Sequence, residues 1–170
     1  AAAGTIAPPL AGAGVRLMGP AIRQFATQEQ AELVLPALLT GQQLWTVLLT
    51  EPGSDDPQAT TTSAEFDWKY LTINGTKTCT DDAATHALVL VRSTDLPGRK
   101  GLTTVLVDLA DDGISMEPGL VHFAGARMTQ EHVLGHRDAG WSVVKTIMPY
   151  MERSLAGRIR RGLVNVEPGE

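Results

Sequence analysis

Residues 46–57 read TVLLTEPGSDDP. An apolar run stops at a hydroxyl and a carboxylate, turns on Pro52-Gly53, and continues into Ser54, Asp55 and Asp56. The β-branched and aromatic content of LWTVLLT favours a pleated, half-buried strand, and Pro-Gly ends it. A plain hairpin end accounts for the proline and the glycine. It does not account for Thr50, Glu51 and Ser54 together, so this strand end is a candidate site.

The pattern on either side sets the fold class. Downstream, AEFDWKYLTING places Phe66, Trp68 and Tyr70 on one face and Leu71 and Ile73 on the other, and Asn74-Gly75 predicts a tight hairpin into residues 76–80. HALVLVRST, GLTTVLVDL, ISMEP and LVHFAGARM follow, separated by Pro97-Gly98 and Asp111-Asp112-Gly113 turns. Six or seven short strands with such turns predict a small antiparallel β-barrel or sandwich. Upstream, Ile22, Phe25, Leu33, Leu35 and Leu38 make an apolar helical stripe. Thr27 and Gln30 have capping-box spacing and Gly41 ends the segment, so two short helices joined near Ala26-Thr27 are expected. After Gly135, residues Trp141, Val144, Ile147, Met148, Met151 and Leu155 line one face of a long helix that Pro149 should kink or divide.

The class is therefore α+β, mainly β. Three segments are expected: 1–41, an Ala/Gly/Pro-rich start (1–14, loop or frayed helix) followed by helices; 42–136, the β-domain; and 137–170, a final helix. That helix has a strong apolar stripe and no later partner in the chain, which points to an absent domain or a second subunit. The first residue is Ala rather than Met, consistent with an excised piece or a processed form.

The 170 residues carry a net charge of -5, which argues against a nucleic-acid surface; Arg158, Arg160 and Arg161, the only basic cluster, fit a helix C-terminus. A 43% hydrophobic content and a mean hydropathy of -0.02 are ordinary for a globular protein, and no apolar run approaches the ~20 residues of a membrane span. Cys79 is the only cysteine, so no internal disulfide forms and a reducing, cytoplasmic compartment is expected. His122, His132 and His136 lack the spacing of a ligand set, so no metal is expected.

Four stretches, in order, resemble the central part of the acyl-CoA dehydrogenase family. GPAIRQFATQEQAELVLPALLTGQ is similar to the last helices of its N-terminal domain, and LLTEPGSDD to its Leu-Thr-Glu-Pro-Gly-Ala-Gly-Ser-Asp signature. LTINGTKT is similar to the segment ahead of its Trp-Ile-Thr-Asn, and FAGARMTQEHVLGHRDAGWSVVKTIMPYMERS to its last strand and following helix. The resemblance spans roughly residues 17–156. It implies FAD held between the β-domain and a C-terminal helical domain, and removal of hydrogens from Cα and Cβ of an acyl thioester. By motif, Leu49 and Thr50 would meet the flavin ring edge, and Gly53 and Ser54 the diphosphate and substrate. Cys79 and Asp81 fall where the family has its flavin-covering Trp and its hydrogen-bonding Thr.

The departures are specific. Pro52-Gly53 runs directly into Ser54, without the intervening Ala-Gly. The aromatic wall becomes the Cys79 thiol, and the Thr donor becomes Asp81, an anion beside a flavin that must itself become anionic. These changes count against FAD. The chain is also short of a strand and turn between Pro118 and Val121, a loss that would expose an unpaired sheet edge or force a rearranged closure. The family's catalytic glutamate lies in the C-terminal domain or near its start, and Glu152 matches a structural position instead. Asp81 is the one weak candidate for an acid/base; Asp82 and His86 lie near it, and Cys79 reads as an inert buried thiol.

Three readings follow. The first is an oxidoreductase subunit that binds FAD and an acyl thioester and is completed by missing parts or a partner. The second is a flavin-free relative acting as a partner subunit in a homo- or hetero-oligomer. The third is a repurposed β-barrel catalysing a non-redox step, such as cyclisation of a polyketide-like molecule in a secondary-metabolite pathway, with Asp81 at work.

Overall fold

A computed structural model of the chain describes the backbone of residues 9–160 and the side chains of residues 14–151. The expectations for residues 1–8, for Arg161 and for the side chains of Glu152, Leu155, Arg158 and Arg160 fall outside that range. Two helices open the fold, α1 (Pro9–Phe25) and α2 (Gln28–Thr40). Thr27 caps α2 in a reciprocal capping box with Gln30, and Gly41 ends it in the left-handed conformation (φ 75°). Strands β1 (Trp45–Leu48), β2 (Ser63–Phe66), β3 (Tyr70–Thr78), β4 (His86–Arg92), β5 (Leu102–Asp108), β6 (Ile114–Glu117), β7 (Leu120–Thr129) and β8 (Val133–Leu134) follow, and α3 (Gly140–Arg160) is the last element described.

The eight strands form one mostly antiparallel sheet in the order β6-β7-β3-β2-β4-β5-β8, with β1 on β4. It does not close into a barrel. β1 and β2 share one edge of β4, both parallel to it: Trp45–Leu48 runs beside His86–Val89, whereas β2 touches β4 only where Ser63 meets Arg92. Two leaves therefore meet at that single rung. Their facing sides enclose one core: Leu71, Ile73, Val121 and Phe123 from one leaf, and Val89, Val91, Val105 and Val107 from the other. The back of the second leaf, Leu88, Leu90, Leu102 and Leu106, packs on Met18 and Ile22 of α1 and on Val143, Val144 and Ile147 of α3. Burial on both faces explains the unbroken apolar run ALVLV, and in LTTVLV it takes in Thr103 and Thr104 as well.

Two sequence expectations are corrected here. Asn74-Gly75 is not a turn. β3 runs straight through it, and the hairpin turns at Asp67-Trp68-Lys69, where Asp67 Oδ1 accepts from the Lys69 and Tyr70 amides. Asn74 instead serves a bulge in β7: Ile73 pairs Ala126 and Asn74 pairs Ala124, leaving Gly125 extra (φ 68°), its N–H donating to Asn74 Oδ1 at 2.7 Å. The bulge changes the parity of β7, so Val121 and Phe123 before it and Ala126 and Met128 after it all face the core. Gly75 is glycine because a Cβ there would lie 2.6–2.8 Å from Thr62. α3 runs through Pro149 without a break. As far as Met151 the apolar stripe of α3 packs on α1 and β5, both earlier in the chain. Leu33 is not on the buried stripe of α2; it is 76% exposed, and Val34 takes its place.

Candidate functional site

The chain leaves β1 at Leu49 and returns to the sheet at Ser63, and the intervening loop is clamped from three sides. The first clamp is Glu51. Its Oε1 accepts from the Thr61 amide (2.9 Å) and hydroxyl (2.7 Å), and its Oε2 from the Thr62 amide (2.6 Å) and hydroxyl (2.5 Å). The loop's beginning thus grips its end. Burial works against ionisation of this carboxyl, but the Thr62 and Thr61 bonds outweigh it and hold the group at about 2.

The second clamp is Lys77, fully buried on β3. Its Nζ donates to the Leu49 carbonyl (3.2 Å) and the Thr60 hydroxyl (3.0 Å) and lies 3.5 Å from Glu51 Oε2. Burial pushes it down to about 8, the Glu51 charge opposing and Arg92 adding to the fall, so it is an ammonium at neutral pH. The third clamp is Arg92 at the end of β4, which donates to the carbonyls of Gln58, Thr60, Leu96 and Gly98.

Within this frame the sequence-derived residues take definite places. Leu49 is buried, with its carbonyl also accepting from Thr60. The Thr50 carbonyl accepts from the Thr78 amide at 2.9 Å, which lays Thr50 beside the end of β3. Neither the N–H nor the hydroxyl of Thr50 has a hydrogen-bond partner among the described residues. Pro52 and Gly53 (φ 85°) make a tight turn closed by the Ser54 amide on the Glu51 carbonyl, 3.0 Å. A Cβ on Gly53 would meet nothing within 4 Å, so the turn borders open space. The Ser54 hydroxyl accepts from the Asp56 amide, and Asp56 caps the 3₁₀ turn that follows.

Cys79 comes next along β3's direction, its amide on the Gly119 carbonyl. The side chain is 3% exposed and belongs to the core between the leaves, with Sγ donating to the Asp81 carbonyl. Burial raises its pKa, and the Asp81 and Asp82 charges add to that rise, so the thiol is held neutral. Asp81 Oδ1 accepts from the Ala83 amide, an ordinary turn contact, and Asp82 Oδ1 accepts from the Gly119 amide, pinning the short Pro118-Gly119 turn between β6 and β7. β6 and β7 are joined by that two-residue turn, and β6 is a sheet edge.

The structure therefore brings Thr50, Thr78, Cys79 and the 118–120 turn together. It does not pair Cys79 with His86. The imidazole lies against Trp45 (ring centroids 5.1 Å apart) with Nε2 3.6 Å from Asp108, and burial lowers its pKa against that charge. It lines a cavity of about 1120 Å³ between the start of α2 and β5, with Phe66 and Arg137; none of the six candidate residues lines that cavity. His122 bridges Thr76 and Glu117, and His132 bonds within its own turn. Among the described residues no group of three or more His, Cys, Asp or Glu is arranged to hold a metal.

Sequence reasoning missed Lys77, Arg92 and the Thr60-Thr61-Thr62 run. A signal for Lys77 was present: alternation from Leu71 and Ile73 puts it on the same inward face as they are, where a lysine needs a carboxylate.

Residues 46–145 match the family described as acyl-CoA dehydrogenase, middle domain. The acyl-CoA dehydrogenase FadE34 of Mycobacterium tuberculosis is 31% identical over 76% of this chain and 20% of its own length. The caffeyl-CoA reductase-Etf complex subunit CarC of Acetobacterium woodii is 32% identical over 77% of this chain and 39% of its own. The solved structure of the Tcur3481-Tcur3483 steroid ACAD superposes with a TM-score of 0.79 at 26% identity, over 88% of this chain and 44% of that one. The chain thus spans between a fifth and less than half of the length of the proteins it matches.

Proposed function

The chain belongs to the acyl-CoA dehydrogenase family, and from that premise we propose that it supplies the β-domain wall of a flavin site for α,β-oxidation of an acyl thioester, or the reverse reduction. Residues beyond those described here, or a partner subunit, complete the site. The observation that carries this is Thr50: a free N–H and a free hydroxyl at the end of β1, on a loop held rigid by Glu51, Lys77 and Arg92. That donor pair fits the polar edge of an FAD ring, and the open side of Gly53 leaves room beside Ser54 for the diphosphate. The residue at the place of the family's aromatic cover does not reach out to a ring, because Cys79 faces the core. The ring face on that side must be covered from elsewhere.

Bound FAD would take the hydrogen that leaves Cβ of the thioester as hydride. The chain's part is to orient and to exclude water: Thr50 donates to the ring edge, and the clamped loop keeps the donors from relaxing. The proton from Cα needs a base, and Asp81, held by the Ala83 amide, is a turn residue first. A hetero-oligomer is the expected setting, in keeping with a relative named as a subunit of an Etf complex. No helix among the described residues is long and apolar enough to cross a membrane; a cytoplasmic location is part of the proposal.

One observation favours a second reading, a flavin-free partner subunit: the core-facing Cys79 with anionic Asp81 and Asp82 behind it. A visible absorption spectrum after FAD is added and excess removed separates the two. Retained yellow colour supports the flavin site. A colourless protein that co-purifies with a full-length relative supports the partner role. The cyclisation reading draws no support from the cavity, which lies away from Asp81.

A further inference from the structure

The Leu49–Thr50 peptide is the part of the site whose direction matters most, and the structure gives a cause for that direction. The chain has no cis peptide among its described residues, and in a trans peptide the carbonyl and the following N–H point to opposite sides. The Leu49 carbonyl is drawn inward by the Lys77 ammonium at 3.2 Å, and the Thr60 hydroxyl, 3.3 Å away, shares its one proton between this carbonyl and that of Pro57 at 2.8 Å. The Thr50 N–H is thereby turned away from buried Lys77, and it meets no partner within the chain. The next carbonyl, that of Thr50, is fixed by the Thr78 amide. Both peptide planes that flank Thr50 are therefore set from β3.

We propose that Lys77 is the positioning residue of this site: by holding the Leu49 carbonyl inward it aims the Thr50 N–H and hydroxyl as one donor pair at the polar edge of the flavin ring. The inference rests on the flavin reading above. Lys77 touches no cofactor itself. Its remaining contacts, Thr60 and Glu51, also lie in the loop, so its three bonds tie the loop's first and last turns to one point on β3. A lysine in an apolar core is costly and is kept only where it is paired. All of its pairing is with this loop.

The test uses the whole chain with FAD, Lys77→Met to remove the donor at similar volume, and Thr60→Val to remove the second donor should the first variant not fold. Fluorescence quenching of FAD gives Kd, and amide exchange reports the loop. A preorganised donor pair that becomes free to rotate weakens binding about tenfold. We expect Lys77→Met to keep slow exchange at Leu88 and Val105 in the core, to speed exchange at the Thr61, Thr62 and Thr78 amides, and to raise Kd for FAD by that factor. Thr60→Val should act in the same direction by less. A merely structural lysine would lower thermal stability and leave Kd of the folded protein unchanged; a folded variant with Kd within twofold of wild type overturns the proposal and spares the flavin site. Wild type that takes up no FAD, alone or together with the partner subunit that completes the site, overturns the flavin reading and the positioning role together, and is recognised because it fails before any substitution is made.

Discussion

Replacing Glu51 with Gln tests the clamp from its acidic side. The change keeps shape but replaces one carboxylate oxygen with an NH₂ group. At the Oε2 position that group would face the Thr62 amide, the Thr62 hydroxyl and Lys77, all donors. Turned the other way, it would face the Thr61 amide and hydroxyl. A hydroxyl can rotate to accept; a backbone N–H cannot, and an unsatisfied one costs about 1–3 kcal/mol. Lys77 also loses its counter-charge, and breaking a buried pair from one side costs about 3–5 kcal/mol. The two share an origin and do not add fully, so about 4 kcal/mol is expected, a large part of the 5–15 kcal/mol typical of a domain. Urea unfolding at pH 7 would show it as a lower midpoint at constant slope. Adding Lys77→Met removes the stranded ammonium, so the double variant should be more stable than the sum of the singles by about 2 kcal/mol. The Glu51 carboxyl is held at about 2 against an ordinary 4.5. A depressed carboxylate stabilises above the unfolded value and loses that effect as pH falls, so the gap between wild type and variant should shrink from about pH 4.5 down towards 2. A variant within about 0.5 kcal/mol of wild type at pH 7, or a strictly additive double, would falsify the clamp.

Lys77, at about 8 in the fold against 10.5 unfolded, has the same sign in a higher pH window: the unfolded state holds the extra proton between those values, so wild type should gain stability over Lys77→Met as pH rises from about 8 to 10.5, and urea midpoints of the pair show it. Gly75→Ala places a Cβ under 3 Å from Thr62 at a φ of 144° and should cost more than about 2 kcal/mol in the same assay. Cys79 should resist a thiol reagent at neutral pH in the folded protein and react at once in urea; rapid native labelling would refute its place in the core. Asp81→Asn keeps the acceptor for the Ala83 amide, so stability should move by less than about 0.5 kcal/mol. Loss of an activity found for the chain would then mark that carboxylate as an acid or base.

How much was legible in the sequence varies with how far each signal reaches. Thr27, Gln30 and Gly41 act within one helical turn, and the two-helix start came out as their chemistry dictates. Strand alternation is also local, and LWTVLLT, HALVLVRST and GLTTVLVDL lie where it put them. Asn74-Gly75 failed for a reason outside its own segment. Asn in a strand can satisfy a bulge on its neighbour and Gly can admit a crossing chain, and neither β7 nor Thr62 is visible from the dipeptide. The stripe of α3 was legible, but its cover as far as Met151, α1, lies over a hundred residues earlier in the chain and was not. At the site, the question raised by Thr50, Glu51 and Ser54 was legible and its answer was not. Glu51 is there for Thr61, Thr62 and Lys77, ten or more residues away.

That division bears on what the departures from the family pattern mean. The residues that hold the loop, Glu51, Lys77 and Arg92, form a closed set of bonds in which every buried side-chain polar atom described is satisfied. The residues that depart, Cys79, Asp81 and the shortened turn, lie on the surface the frame presents, or fold back into the core behind it. Removing Glu51 strands the Lys77 charge, at a cost of several kcal/mol, and removing Arg92 takes the donor from four carbonyls. Changing the presented surface costs little: Asp81 and Asp82 became turn caps, and Cys79 fills core volume. Stability alone would therefore keep the frame whatever the chain does. The frame's survival argues for the fold, and only the unpartnered donors of Thr50, which contribute nothing to stability as they stand, argue for a ligand. Thr50→Val separates the two: it removes the hydroxyl at nearly constant volume, should leave the urea midpoint in place, and should weaken FAD binding. A variant that binds FAD as wild type does would leave the loop a structural feature with no claim on the cofactor.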